Sequence, residues 1–330
     1  MTKLFVAGAG SWGTALAVLL ASHGREVTLW ARREGVAAEL RRERTNEARL
    51  PGILFPEDLT VTHELSSLSD HDGCLFVVPA QSARTHLSSF REAAEGAPLP
   101  VALCCKGLER ETMAPMHRVL SDAWPEALPA VLSGPSFAMD VAQGQPTAVT
   151  LAARDEAQRQ FWLDALATPT FRPYASDDPL GAEIGGAVKN VLAIACGIAE
   201  GRGFGDSARA AIIARGFAEM QRFGKALGAK SETLAGLSGL GDLVLTCGSR
   251  QSRNYSLGVA LGEGADVQTY LDEHTTVAEG AATAGPLTSS ATSLGVEMPI
   301  SEGVAAIVDG SAQVDDIIGA LMNRPLKSEG

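Results

Sequence analysis

The chain has 330 residues, 35 of them glycine, with 45% hydrophobic and 20% charged side chains and a formal net charge of −12. That length accommodates two domains with separate cores. The acidic balance, without a basic tail or basic face, excludes a nucleic-acid footprint and leaves anion binding to local clusters of donors.

The first residues, MTKLFVAGAGSWGTALAVLLASHG, share an early lysine and an apolar stretch with secretory signal peptides. Gly8, Gly10 and Gly13 interrupt any helix there and no A-x-A cleavage site follows, so a strand–turn–helix fits better. Apolar strand-like runs at 3–8, 26–30, 73–79, 100–107, 130–134, 146–153 and 170–176 alternate with amphipathic stretches. Short unbroken apolar strands separated by helical segments predict a parallel sheet covered on both faces. After about residue 180 the period becomes helical. Residues 206–228 set Ile212, Phe217, Met220, Phe223 and Leu227 on one stripe, with Asp206 or Ser207 as N-cap and Gly228 as the stop. Further helices are predicted over 252–261, 266–273, 279–294, 300–308 and 311–323. The expected fold class is α/β, a sheet domain over 1–180 followed by an all-helical domain over 181–330. Beyond the N-terminus, no run of ~20 apolar residues predicts a membrane span. Cys74, Cys104, Cys105, Cys196 and Cys247 form no C-x-x-C and have no histidine at metal spacing. They are expected to be small buried hydrophobes of a reducing cytosol, with no metal site.

VAGAGSWG is a G-x-G-x-x-G made of Gly8, Gly10 and Gly13, placed after a strand and opening a helix. The glycines allow a tight turn, close approach of the backbone to a pyrophosphate, and close helix–strand packing, with the helix N-terminus facing the anion. The alternative is a tight turn that binds nothing. The end of the second strand then chooses the dinucleotide. A site selective for NAD places Asp or Glu there, about 20 residues past the glycines, to hold the ribose 2′-hydroxyl. This chain has Arg32 and Arg33 instead, with Glu34 arriving late. Guanidinium suits a 2′-phosphate, so NADPH is expected to be preferred and NADH accepted. The competing reading is two solvated surface arginines.

Polar groupings interrupt apolar or glycine-rich surroundings. LCCKGL ends a strand with Lys106, and LSGPSFA ends another with Ser133, Gly134 and Ser136. Strand carboxyl ends are where open α/β sheets bind ligands, so Lys106 and Ser136 are expected to face the crevice. GLSGLGDLVLTCGSRQSRN supplies Asp242, Thr246, Ser252, Arg253 and Asn254. Helix capping remains an alternative for Asp242, Ser252 and Asn254, and an ordinary surface position for Lys106. EIGGAVKNVLAIACGIAEG has only Lys189 and Asn190 as polar residues between its two glutamates. A helix apolar on every side is buried, and a buried ammonium must find a partner or lose its proton. All six histidines, at 23, 63, 71, 86, 117 and 274, lie outside these groupings. A dehydrogenase moves a proton as hydride moves, and Lys189, its pKa lowered by burial and by Lys106, is the candidate.

Taken together, GAGSWGTALA, CKGL, SGPSFA, EIGGAVKNVLAIACGIAEG, GLSGLGDLVLTC and SRN resemble the bacterial NAD(P)-dependent glycerol-3-phosphate dehydrogenases, in order and over nearly the whole chain. The resemblance implies an N-terminal Rossmann-type domain joined to an all-helical domain like the C-terminal part of 6-phosphogluconate dehydrogenase, with the active site between them. It implies interconversion of dihydroxyacetone phosphate and sn-glycerol 3-phosphate for phospholipid synthesis. Lys189 matches the family's proton-transferring lysine. Lys106, Gly134, Ser136, Asp242, Ser252, Arg253 and Asn254 match its substrate contacts, to which the residue chemistry adds Asn190 and Thr246. Ser11, Trp12, Arg32, Arg33, Lys106, Ala138, Arg253, Val277 and Glu279 match its nucleotide contacts, beside the three loop glycines.

A substrate phosphate carries a charge of about −2. Arg253 and Asn254 at a helix start would cradle it. The nearest rival is a 2-hydroxyacid or ketopantoate-type reductase of the same architecture, against which SRN and GLSGLGDL favour a phosphorylated substrate. A dinucleotide-sensing protein without turnover would need no buried lysine. The Ala- and Gly-rich helical half offers a close-packed homodimer face, and the expected location is the cytoplasm.

Overall fold

The first strand, β1 (Lys3–Ala7), sends Leu4 and Val6 into one apolar core and Phe5 and Ala7 into another. A strand buried on both faces has no polar alternation, which is why its sequence is an unbroken apolar run. In this computed structural model residues 2–273 and 278–325 are described. The remaining strands are β2 (Glu26–Trp30), β3 (Thr45–Asn46), β4 (Leu50–Leu54), β5 (Thr60–Thr62), β6 (Gly73–Phe76), β7 (Pro100–Leu103), β8 (Leu128–Ser133), β9 (Thr147–Ala152) and β10 (Phe171–Ser176). The first six helices, α1 (Ser11–Ser22), α2 (Glu34–Glu43), α3 (Ala83–Ala93), α4 (Met116–Ala123), α5 (Ala138–Ala142) and α6 (Glu156–Leu166), lie among them.

The main sheet runs β10-β9-β8-β7-β6-β1-β2-β5. β1 pairs parallel to β2 on one side and to β6 on the other, so the chain reverses its direction of winding at β1, the switch point at which open α/β sheets bind dinucleotides. The sheet is not wholly parallel as predicted, because β8 and β9 pair antiparallel. The link between them, residues 134–146, holds only the five-residue α5, which packs on α1 and sends the chain back from the end at which β8 stopped. The short edge strand β5 and the separate β3–β4 hairpin also lay outside the predicted runs.

Every regular element from Pro179 onward is helical among the described residues: α7 (Pro179–Gly201), α8 (Asp206–Leu227), α9 (Ser231–Ala235), α10 (Asp242–Thr246), α11 (Arg253–Gly262), α12 (Val267–Glu273), α13 (Glu279–Ser293), α14 (Pro299–Val308) and α15 (Val314–Met322). The α8 stripe faces the helical core as expected, with Gly228 closing it at φ 91°, but the N-cap is Gly205 and Asp206 instead pairs with Arg209 at 2.7 Å.

α7 is the axis of this half. Asp178 caps it by accepting from Gly181 N at 2.9 Å, and Pro179 opens it with a φ already suited to a helix. Its 23 residues, with a mean hydropathy of 1.4 over the most apolar window, are long and apolar enough to cross a membrane, which amends the expectation that no such run exists. That window is 94% buried inside the protein, so the helix serves as a core. A β-carbon on Gly197 would lie 2.1 Å from Tyr255 O, and one on Gly258 would lie 2.1 Å from Ile194 O. The glycine stripe therefore lets α7 and α11 touch backbone to backbone inside the chain.

Candidate active site

Gly8 adopts φ +124°, and a β-carbon on Gly13 would sit 1.9 Å from Gly8 O, so the turn from β1 into α1 closes only with glycine at both places. The N-cap of α1 is Gly10 and no side chain caps it. Its first-turn N–H groups are left for an anion, which the helix dipole also favours. The loop opens into a cleft of ≈ 1190 Å³ walled by both halves of the chain. Arg32 and Arg33 line it just past β2, exposed, and no ion pair with a described residue engages either. Such a donor set fits the charged end of a dinucleotide. Ser11 lines the cleft too, but its hydroxyl donates to Arg49 O at 2.6 Å, so only its backbone N–H faces the anion as a donor.

At the other end of the cleft stands Lys189, 8% exposed. The ammonium is not solitary, as the local sequence suggested. Its Nζ lies 3.1 Å from Asp242 Oδ1 and donates to Thr246 Oγ1 at 2.9 Å. Thr246 in turn donates to Asp242 Oδ1 at 3.1 Å. The other carboxylate oxygen, Oδ2, is 2.6 Å from Lys106 Nζ, which also reaches Gly134 O at 3.5 Å. One buried carboxylate thus joins a lysine from a strand end to a lysine from α7. Burial pushes Lys189 down, Asp242 pulls it back and Lys106 lowers it again, bringing its pKa to about 8. Burial alone would raise the Asp242 carboxyl, but the two ammoniums outweigh it and hold it below the ordinary range.

The backbone places Asp242 here by an unusual route. Residues Leu237–Gly241 form a π-helical turn that runs into α10. A β-carbon on Gly185 would lie 2.3 Å from Ser238 O, so glycine on α7 is what lets this turn lie against it. Asp242 is not a helix cap, since the N-cap of α10 is Gly241 with no side-chain bond. α7 is fixed to the sheet half by Glu183, whose carboxylate accepts from His117 N at 2.7 Å and pairs with His117 Nδ1 at 2.5 Å. Burial would lower the His117 imidazole, but the Glu183 carboxylate wins and raises it.

Ser252 does cap α11, accepting from Tyr255 N at 3.2 Å. Arg253 follows it, exposed into the cleft at the helix start. Asn254 is not a cap of α11. Its Oδ1 accepts from Gly280 N at 2.8 Å and ties the start of α11 to that of α13. The preceding loop is anchored by Arg250 Nε, which donates to Glu200 Oε1 at 2.8 Å. Asn190, Ser136, Ala138 and Glu279 also line the cleft. Burial raises the Glu279 carboxyl against the pull of Arg253, Lys106 and Lys189. Gly13 and Gly134 are one layer behind the wall; Gly134 has φ +150° and a β-carbon there would meet Val149 Cα at 2.9 Å. Val277 lies outside the described residues.

Two features of the cleft escaped the sequence reading. Residues Thr45–Arg49 of the β3–β4 hairpin form part of its wall, and a polar stretch with a two-residue strand carries no periodic signal. His86 also lines it, with Nδ1 bonded to Ser82 O at 2.7 Å, so the expectation that every histidine lies away from the site is corrected for this one. Its distance from Lys106 along the chain hid that placement.

Residues 3–159 match the family described as NAD-dependent glycerol-3-phosphate dehydrogenase N-terminus, and residues 178–319 match the corresponding C-terminus. A glycerol-3-phosphate dehydrogenase (NAD(P)+) of Parvibaculum lavamentivorans is 52% identical over 328 residues, covering 99% of this chain and 98% of that one. The protein of the same name from Caulobacter vibrioides is 50% identical over 327 residues, with coverage of 99% and 98%. The crystal structure of glycerol-3-phosphate dehydrogenase from Coxiella burnetii superposes with a TM-score of 0.93 at 37% identity, covering 98% of this chain and 99% of that one. With both halves matched and relatives of this identity spanning its length, the chain belongs to the NAD-dependent glycerol-3-phosphate dehydrogenase family.

Proposed function

We propose that the chain reversibly reduces dihydroxyacetone phosphate to sn-glycerol 3-phosphate, with Lys189 as the group that gives and takes back the proton. The observation that carries this reading is the shared carboxylate: Asp242 holds Lys189 and Lys106 together at the end of a cleft whose other end is a dinucleotide loop. Bound NAD(P)H supplies a hydride to C2 of the substrate. Lys189, protonated, donates Nζ–H to the carbonyl oxygen, and the C=O π pair becomes the new O–H bond. In oxidation the neutral amine recovers that proton from the hydroxyl. Lys106 adds positive charge beside the developing alkoxide. Arg253 and the start of α11 bind the substrate phosphate. NADPH oxidation should therefore be rapid with dihydroxyacetone phosphate and at least 10²-fold slower, per kcat/KM, with unphosphorylated dihydroxyacetone or ketopantoate, because the phosphate contacts are charge-assisted. Comparable rates with ketopantoate would replace this reading by the ketopantoate-reductase one.

Cofactor choice follows from Arg32 and Arg33. NADPH should be used at least as well as NADH, and replacing both arginines with alanine should weaken NADPH by a few kcal/mol more than NADH, since charge-assisted bonds contribute about 1.5–3 kcal/mol each. An equal rise in KM for both cofactors would mean that the arginines do not read the 2′-phosphate.

Three coarser features complete the proposal. The division between nucleotide and substrate domains falls near residue 180, between β10 and α7, and limited proteolysis would locate it. The chain forms a homodimer, for which exposed Ala210, Ala211 and Ala214 on α8 offer a flat face, and sedimentation velocity would show the mass. The enzyme works in the cytoplasm, and its product supplies phospholipid synthesis; depletion of the enzyme should be relieved by added glycerol 3-phosphate.

A further inference from the structure

We infer that Asn46 is a positioning residue for the cofactor: from the β3–β4 hairpin it fixes the glycine loop and so sets NAD(P)H affinity. The inference rests on dinucleotide binding at that loop. Asn46 sits in a polar stretch, TNEARLPG, yet it is only 5% exposed. Both protons of its amide nitrogen are used, one on Ala9 O at 3.1 Å and one on Thr14 Oγ1 at 2.8 Å. Thr14 is fully buried in α1, and Ala9 is the middle residue of Gly8-Ala9-Gly10.

The consequence is a matter of peptide geometry. In a trans peptide the C=O and the following N–H point in opposite directions. Holding Ala9 O toward Asn46 therefore turns Gly10 N–H away from it. A Gly-Ala-Gly segment has little preference of its own for one peptide orientation, because glycine populates both signs of φ. An outside group must choose it, and α1 has no side-chain cap to do so. The same hairpin holds the loop a second time, through Arg49 O, which accepts from Ser11 Oγ at 2.6 Å. The hairpin thus holds the loop at Ala9 and the first turn of α1 at Ser11 and Thr14.

The test separates affinity from turnover. Binding of NADPH to Asn46→Ala, Asn46→Asp and the unmutated enzyme is measured by fluorescence titration, alongside thermal unfolding and steady-state kinetics. Losing two hydrogen bonds should raise the NADPH Kd, and the NADPH KM with it, roughly 10-fold. The KM for dihydroxyacetone phosphate and the kcat at saturating NADPH should move less than about 3-fold, because Lys189 and Asp242 are untouched. Asn46→Asp keeps the shape and so remains informative if the alanine variant does not fold. It cannot donate to Ala9 O and adds a negative charge near the anion site, so its Kd should rise at least as far. An aspartate variant with the unmutated Kd, or an alanine variant that loses thermal stability with its cofactor Kd intact, would show that Asn46 is merely structural. If the unmutated enzyme itself failed to bind either nicotinamide cofactor, the dinucleotide reading would fall first.

Discussion

Lys189→Met should leave the protein folded and able to bind NADPH while lowering kcat in both directions by ~10²–10⁴-fold. Methionine keeps the length and apolar stem of the side chain, and the ammonium it replaces is held against the preference of its surroundings, since burial is the largest influence on Lys189. Lys106 remains paired with Asp242 at 2.6 Å, so the carboxylate is not orphaned. Lys189→Arg should not restore turnover, because guanidinium does not release its proton in the working range. The pH dependence of the unmutated enzyme gives the complementary result. Reduction needs the ammonium, so its kcat/KM should fall as pH rises through about 8; oxidation needs the free amine, so its kcat/KM should rise through the same pH. His86, in the same cleft, is the alternative proton carrier. If it held that role, Lys189→Met would retain most of its activity and leave the pH profile unchanged. Side-by-side kcat, KM and unfolding measurements decide between them.

The parts of this arrangement that were legible in the sequence are those encoded locally. β1, β6 and β7 are apolar without interruption because alternate residues enter opposite cores, Cys74 and Phe76 on one side and Leu75 on the other, for example. The glycine loop is legible because each glycine answers a local steric demand. Lys189 stood out because nothing around it on α7 is polar except Asn190. What the chain does not announce is which distant group solves the problem that a local residue poses. Asp242 meets Lys106 across 136 positions, and one of its oxygens serves Lys189 from the far side. No periodicity links them, and the aspartate alone reads equally well as a helix cap. Asn46 is less visible still, a lone amide in a polar segment whose two-residue strand is too short for any pattern. The antiparallel β8–β9 step is invisible in the strands themselves, which are both apolar and look alike in either direction.

Asp242→Asn should be nearly as damaging as loss of Lys189, and in a way that identifies the charge as the cause. The substitution preserves shape and keeps an oxygen for the Thr246 hydroxyl, which now donates to Asp242 Oδ1 at 3.1 Å. It removes the negative charge that bridges two ammoniums, with Asp242 itself only 1% exposed. Breaking a buried pair by removing one partner typically costs about 3–5 kcal/mol, so a lower unfolding temperature is expected. The less costly escape is for one lysine to lose its proton, and Lys189 is the one already near that threshold. Asp242 raises the Lys189 pKa, so its neutralisation should move the midpoint of the reduction profile below pH 8. Reduction at neutral pH then loses its proton donor and should fall by ~10²-fold or more, while oxidation, which wants the free amine, should fall less. The ratio of the two rates is independent of the amount of folded enzyme, so it reports electrostatics even if the variant is unstable. Adding Lys189→Met to Asp242→Asn should cost little further activity in reduction, because the two residues act on one proton and their effects there cannot add, but it should remove the oxidation that the free amine sustains. A variant that slowed both directions equally, with its reduction profile still breaking near pH 8, would show that Asp242 holds the site together without tuning its lysine.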